Sequence, residues 1–450
     1  MSSSWNWELK ISLAKPDKEI IWTIVGLSTA KAVGVSEKLL LILYAVWMCA
    51  IVIRSGRIVL PKVKGWWIYF SFIFVAAIIG LISIPISLVE KDLYYFLPNL
   101  LVIWLGYVLA CYEGNRKSIL KTICFSGFLS SIIGFGKLVL HPTVLTNFSS
   151  LRETLSGNIY EVAVAVAIIL YLRIIAKKIL FSKRTDMMML IVMMGHSLIS
   201  MGRTQIVFVA AEICIMLIEA LIIFNDKASK IKTIFSIAIS ISLIIVVAIM
   251  VVPKDVSENL FDKFSNSMEE IDSEKEFDSI SDATENWRGY ENQSAKKQWE
   301  NYNLLEQLVG KGMGEGLYVK YVPYTWRNFK MISGNKIPLL HNGYYTTLIK
   351  GGLMGLICLI MLFLTNILLV IGYKRYTEES RDLLIILSFI TVGIMISTYV
   401  MRGIVAQGVC LYWSLLVGWI NREVRKKRIS VNKNIEAKVN VRTQKSERGA

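Results

Sequence analysis

No two cysteines in this 450-residue chain have Cys-x-x-Cys spacing, and none lies in its one large hydrophilic loop. All six (Cys49, Cys111, Cys124, Cys214, Cys358 and Cys410) fall within or at the ends of apolar runs. That placement excludes a disulfide framework and a zinc site. The large loop has no Asp-x-Asp metal motif, and its acidic stretch around Glu269 to Glu274 has no EF-hand spacing, so no metal and no cofactor are expected. No cleavable signal peptide is expected, because the transition after Glu19 leads straight into consecutive apolar runs. The two halves show no internal repeat of the kind that many transporters carry. The basic tail from Asn421 has almost no aromatic or glycine pattern, so a net charge of +16 does not indicate nucleic acid.

What the chain has in quantity is apolar length. With 54% hydrophobic residues and a mean hydropathy of +0.52, it reads as a polytopic membrane protein. The expected architecture is all-α, with about twelve transmembrane helices. They fall near residues 20–35, 38–53, 66–89, 93–112, 117–139, 158–176, 186–201, 204–224, 232–252, 343–372, 382–400 and 403–420. Basic residues fill alternate connections: Arg54 to Lys64, Arg116 to Lys121, Lys177 to Arg184, Lys227 to Lys232, and Lys374 to Arg381. By the positive-inside rule those connections and both termini are cytoplasmic. The basic excess is then topological, with some attraction to anionic membrane lipid. Four regions result: a membrane domain over 1–252, an extracytoplasmic loop over 253–340, a second membrane portion over 341–420, and a basic, disordered tail over 421–450.

The large loop lies between spans nine and ten. Its first part, Val256 to Glu285, is acidic and reads as solvated chain. From Asn286 the pattern becomes helical, with Arg288, Ala295, Trp299, Tyr302 and Val309 in one stripe over 286–309. An arginine within an aromatic stripe suits a buried or interfacial anion. The alternating glycines of Gly310 to Gly316 lack the Gly-Lys-Ser/Thr of a phosphate loop and read as a turn where backbone passes closely. Arg203 and Arg402 each occupy a tight outer connection between spans, where the positive-inside bias disfavours arginine. Within spans, the polar residues are Lys31, Glu161, Glu212 and Glu219, with Glu161 a secondary site candidate.

His341-Asn342 precedes the span that starts near Tyr344, and Gly352-Leu353-Met354-Gly355 follows nine residues later. If the helix begins near His341, the imidazole, Gly352 and Gly355 share one face. A helix N-terminus collects anions and its dipole holds a nearby histidine neutral, as a base must be. The spacing alone also fits an interfacial histidine above a small-residue packing face.

His-Asn-x9-Gly-x-x-Gly resembles the signature of the O-antigen ligase-like superfamily of bacterial membrane glycosyltransferases. The resemblance covers roughly residues 190 to 370. Arg203 matches an arginine that this family carries at the outer end of a span, although Gly202 stands where serine is usual. Arg288, Trp299 and the turn from Gly310 to Gly316 look like the family's loop pattern. The resemblance implies a GT-C-like helical enzyme that uses a glycan on undecaprenyl pyrophosphate at the outer face of the bacterial cytoplasmic membrane. Arg203 and Arg288 would grip the pyrophosphate and stabilise its growing charge. Arg402, Asn342, Trp299, Gly352 and Gly355 would complete the substrate site, and His341 would take or orient the acceptor proton. Chain-length regulator and flippase proteins are the partners implied. Polymerisation of O-antigen or capsule repeat units is the leading activity. Ligation to lipid A-core, protein O-glycosylation and, from another class, a flippase or transporter stay open.

Overall fold

The computed structural model describes residues 16–55, 59–111, 116–142, 154–155, 159–200, 208–209, 212–216, 218, 277–322, 335–370, 378–405 and 411–425. Arg203, Glu219 and the acidic part of the loop up to 276 lie outside the described residues, as do spans expected over 219–252.

The described chain is mostly helical. Helices α1 (Pro16–Val33), α2 (Glu37–Ser55), α3 (Lys64–Ser83), α4 (Ile86–Leu109) and α5 (Arg116–Leu140) come first. Next are α6 (Ile159–Leu170), continued by a π-turn at Tyr171–Ile175, and α7 (Lys183–Ser200). The loop supplies α8 (Ile280–Glu285), α9 (Trp287–Glu300), α10 (Leu304–Val309) and an antiparallel pair of two-residue strands, β1 (Leu317–Tyr318) and β2 (Lys336–Ile337). Then follow α11 (Gly343–Ile367), α12 (Glu378–Met401) and α13 (411–425). Among the described residues, α3, α4, α5, α11 and α12 are long and apolar enough to cross a membrane, so the chain reads as a multi-pass membrane protein.

Burial follows composition. Every residue from Glu161 to Leu172 is buried, as expected of a helix that is apolar all round. Every residue from Leu411 to Ile420 is buried too. α13 lies against α4 so closely that a Cβ on Gly106 or Gly418 would strike the opposing backbone carbonyl, of Leu415 or Ile103. Small residues allow this approach where apolar packing must do without water. α3, α5 and α11 lie at the rim, with α11 the most exposed of the spans.

Among the described residues, basic side chains from several connections make contacts with the bundle. Lys178 pairs with Asp382 at 2.5 Å, Lys121 stands over the Phe181 ring, and Arg422 over the Tyr107 ring. α12 runs from Asp382 at one end to Met401 at the other, where the loop docks.

Five sequence expectations change. The solvated chain expected over 256–285 is packed from 277 on: α8 is capped by Ser279, and Phe277 and Ala283 are buried in the loop's own apolar cluster. Spans three and four divide at Ile84-Pro85 rather than between 89 and 93, because Pro85 has no N–H with which to continue α3 and stands just before α4. Glu161 is paired with Lys31 of α1, so its charge has an intramembrane partner. The helix expected over 286–309 is two helices. α9 stops at Asn301, and Asn303 starts α10 with a capping box in which its side chain takes the Glu306 N–H and Glu306 returns to the Asn303 N–H. The stripe from Arg288 to Val309 is therefore broken. Lastly, Asp92 and Lys350 form a fully buried ion pair that the list of intramembrane charges omitted.

That pair anchors the glycine turn. Gly310, Gly312 and Gly314 have φ of 74°, 92° and 93°, a region that glycine alone enters readily. The turn fits between α3, α4 and α11: Gly312 N–H donates to Lys350 O, Met313 N–H to Ala76 O, and Gly314 N–H to Asp92 Oδ2. Lys350 Nζ also donates to Glu315 O. A Cβ on Gly312 would lie 2.2 Å from Gly80 N. The expectation of close backbone passage holds, and the neighbour is the helix bundle.

Candidate active site around His341

The site begins with a loop helix laid against the start of a span. Asn286 caps α9 by accepting the Gly289 N–H at 3.3 Å. This fixes Trp287, Arg288 and Glu291 in its first turn and a half. Trp287 Nε1 donates to Glu291 Oε1 at 2.6 Å. Glu291 Oε2 accepts the backbone N–H of His341 and stands equally close to its ring Nδ1, each at 2.9 Å. The glutamate is 1% exposed, while the His341 side chain is 27% exposed.

An ionised carboxylate can only accept, so the Glu291 contact puts the imidazole proton on Nδ1. The lone pair is then on Nε2, the atom that must take a proton if His341 is a base. The buried carboxylate behind the ring also fixes its orientation.

The end of α12 closes the other side. Arg402 N–H donates to His341 O at 2.5 Å, and its Nε donates to Leu340 O at 3.1 Å. Arg402 holds a φ of 69°, uncommon for a side chain other than glycine, asparagine or aspartate. Its neighbour Met401 receives Arg288 Nη2 at 3.6 Å. Arg288, Glu291, His341 and Arg402 therefore converge from three separate segments.

The remaining sequence candidates are placed differently. Asn342 is the N-cap of α11, and its Oδ1 accepts from Tyr344 and Tyr345 N–H at 3.0 and 3.3 Å. Those are the N–H groups that an anion at the helix start needs, so the expected anion site at this terminus is already filled by the chain. Its Nδ2 is buried with no partner among the described residues. Trp299 lies at the far end of α9, where its Nε1 donates to Gln307 O at 3.1 Å and ties α9 to α10. Gly352 has φ 57° and ψ −160°, a break inside α11 that ends the helical register on which a shared face with His341 depended. A Cβ on Gly352 would meet the Leu308 backbone, and one on Gly355 would meet the Phe72 ring. Both glycines are thus packing positions for α10 and α3. Arg203 lies outside the described residues.

Glu291 was missed by sequence reading, although it stands three residues after Arg288 and hence on the same helical face. Asp92 and Lys350 were also legible as charges within or beside apolar runs. No protein-family model matches the chain, and a search of curated proteins finds no match either.

Proposed function

We propose that the chain is a membrane glycosyltransferase that polymerises oligosaccharide repeat units linked to undecaprenyl pyrophosphate, at the outer face of the bacterial cytoplasmic membrane. About twelve spans in a GT-C-like arrangement, with both termini cytoplasmic, go with that reading. The observation that carries it is the His341 Nδ1 contact with buried Glu291, beside Arg288 and Arg402. An imidazole base near two guanidinium groups suits transfer of a sugar from a phosphorylated leaving group.

In the proposed step an acceptor hydroxyl attacks the anomeric carbon of the donor glycan. The new glycosidic bond forms as the bond between that carbon and the pyrophosphate oxygen breaks. The hydroxyl proton passes to His341 Nε2, and the electron pair leaves with undecaprenyl pyrophosphate. Arg288, with Arg203, holds the leaving anion, since guanidinium meets phosphate bidentately. Arg402 fixes His341 and Leu340 through their carbonyls and adds positive charge at the same place.

Purified chain given one defined lipid-linked repeat unit is expected to produce a ladder of longer glycans on a gel. Transfer only when lipid A-core is added would replace polymerisation with ligation. An unextended donor under both conditions, with donor moved across vesicles, would replace the enzyme with a transporter.

The orientation has its own check. Lys336 of β2 is exposed, with its side chain 53% accessible. A Lys336→Cys variant is expected to react with a membrane-impermeant thiol reagent in intact spheroplasts, above the level of the unsubstituted chain. Reaction only after lysis would put the loop, and the site with it, on the cytoplasmic side.

A further inference from the structure

Three spans measure the depth of one turn of the loop. Ala76, which accepts the Met313 N–H, lies seven residues before the end of α3 at Ser83. Asp92, which accepts the Gly314 N–H, lies six residues after the start of α4 at Ile86. Lys350, which accepts the Gly312 N–H, lies seven residues after the start of α11 at Gly343. At about 1.5 Å per residue, each span puts the turn roughly 9–10 Å inside its own end. α4, of 24 residues, extends about 36 Å against a hydrocarbon layer of about 30 Å, so its ends overhang by about 3 Å. The turn then lies about 6 Å below the hydrocarbon surface.

α10 leads directly into this turn and crosses α11 at Gly352, where the Leu308 backbone leaves no room for a Cβ. Its leucines face outward: Leu304, Leu305 and Leu308 are 75%, 68% and 42% exposed. The residues after Gly352 on α11 are exposed as well, Met354 and Ile357 by 55% and 53%. They belong to the outward face of the most exposed of the candidate spans, so the leucines continue an exposed apolar surface.

We propose that α10 is embedded in the acyl layer, with Leu304, Leu305 and Leu308 in contact with lipid hydrocarbon, and that Asn303 to Gly316 is a membrane re-entrant segment. Backbone N–H groups along it are met within the protein, as that setting requires. Gln307 and Gly310 N–H stay within the α10 ladder, and Lys311, Gly312 and Met313 N–H go to span carbonyls. Lys311 lies 3.8 Å from Glu306 and 4.6 Å from the Tyr302 ring centroid. The proposal is independent of the reaction assigned to His341.

A benzophenone amino acid placed at Leu305 in the full chain, irradiated in native membranes, tests it. Leu305 is exposed, so the insertion disturbs no packing. The expected result is adducts of phospholipid mass in a yield matching the same group at Met354, with few from the same group at Lys336. A cross-link to a second polypeptide would overturn the proposal in favour of a protein docking surface. A lipid yield as low as that at Lys336 would overturn it in favour of an aqueous loop.

Discussion

His341→Ala is expected to lower turnover by roughly two to four orders of magnitude, the usual worth of general-base help. Binding of the donor lipid should change little, because the imidazole acts on the acceptor. Glu291→Gln is expected to lower turnover less, since the amide still fills the space but no longer dictates which ring nitrogen carries the proton. If Glu291 acts through His341, the double variant should be no slower than His341→Ala alone. Arg288→Ala should differ in kind: it should weaken donor binding as well as turnover, because phosphate contacts act in ground and transition states alike. Arg288→Lys should recover only part, as lysine keeps the charge and loses the planar fork. Each variant is compared at matched membrane yield and thermal transition. Polymerisation by His341→Ala near the native rate would leave His341 and Glu291 as a structural contact between loop and span.

The second large effect concerns Lys350 and Asp92. Lys350→Met is expected to destabilise the protein by about 3–5 kcal/mol, because it leaves a carboxylate buried without its cation. That is a large share of a net stability that is commonly about 5–15 kcal/mol. Asp92→Asn combined with Lys350→Met should recover most of the loss, since neutral residues of similar volume often replace a buried pair at little cost. Thermal transitions of the purified proteins in one detergent measure both. A single variant as stable as the native chain would mean that water reaches Asp92, and that the turn from Gly310 to Gly316 does not depend on the pair.

Much of the helical layout could be read from apolar run length, because a helix that crosses lipid has to satisfy its backbone internally. The approach of Arg402 to His341 was half legible: sequence placed both at outer ends of spans, and folding supplied the hydrogen bonds. Glu291 was not found because the stripe was scored for apolar and aromatic residues, where a glutamate counts as a gap. The break at Asn301 to Asn303 was hidden for the opposite reason. Apolar residues on either side kept the helical period, while the capping box that ends it is carried by Asn303 and Glu306. Gly352 is the clearest case. Gly-x-x-Gly suggested a smooth helix face, but a positive φ at one glycine converts the motif into a break whose neighbour comes from outside the helix.

The anchoring of the glycine turn also sets a timetable for synthesis. Gly314 follows its partner Asp92 by 222 residues, and Lys350 follows it by 258. At about 5–20 residues per second, a ribosome needs roughly 10–50 s to deliver either after α4 has emerged. During that interval α4 sits in the bilayer with its aspartate waiting, and nothing made earlier supplies the lysine of α11. Completion of α11 lets Lys350 and the turn meet Asp92, and the same stretch of chain carries His341 to Glu291.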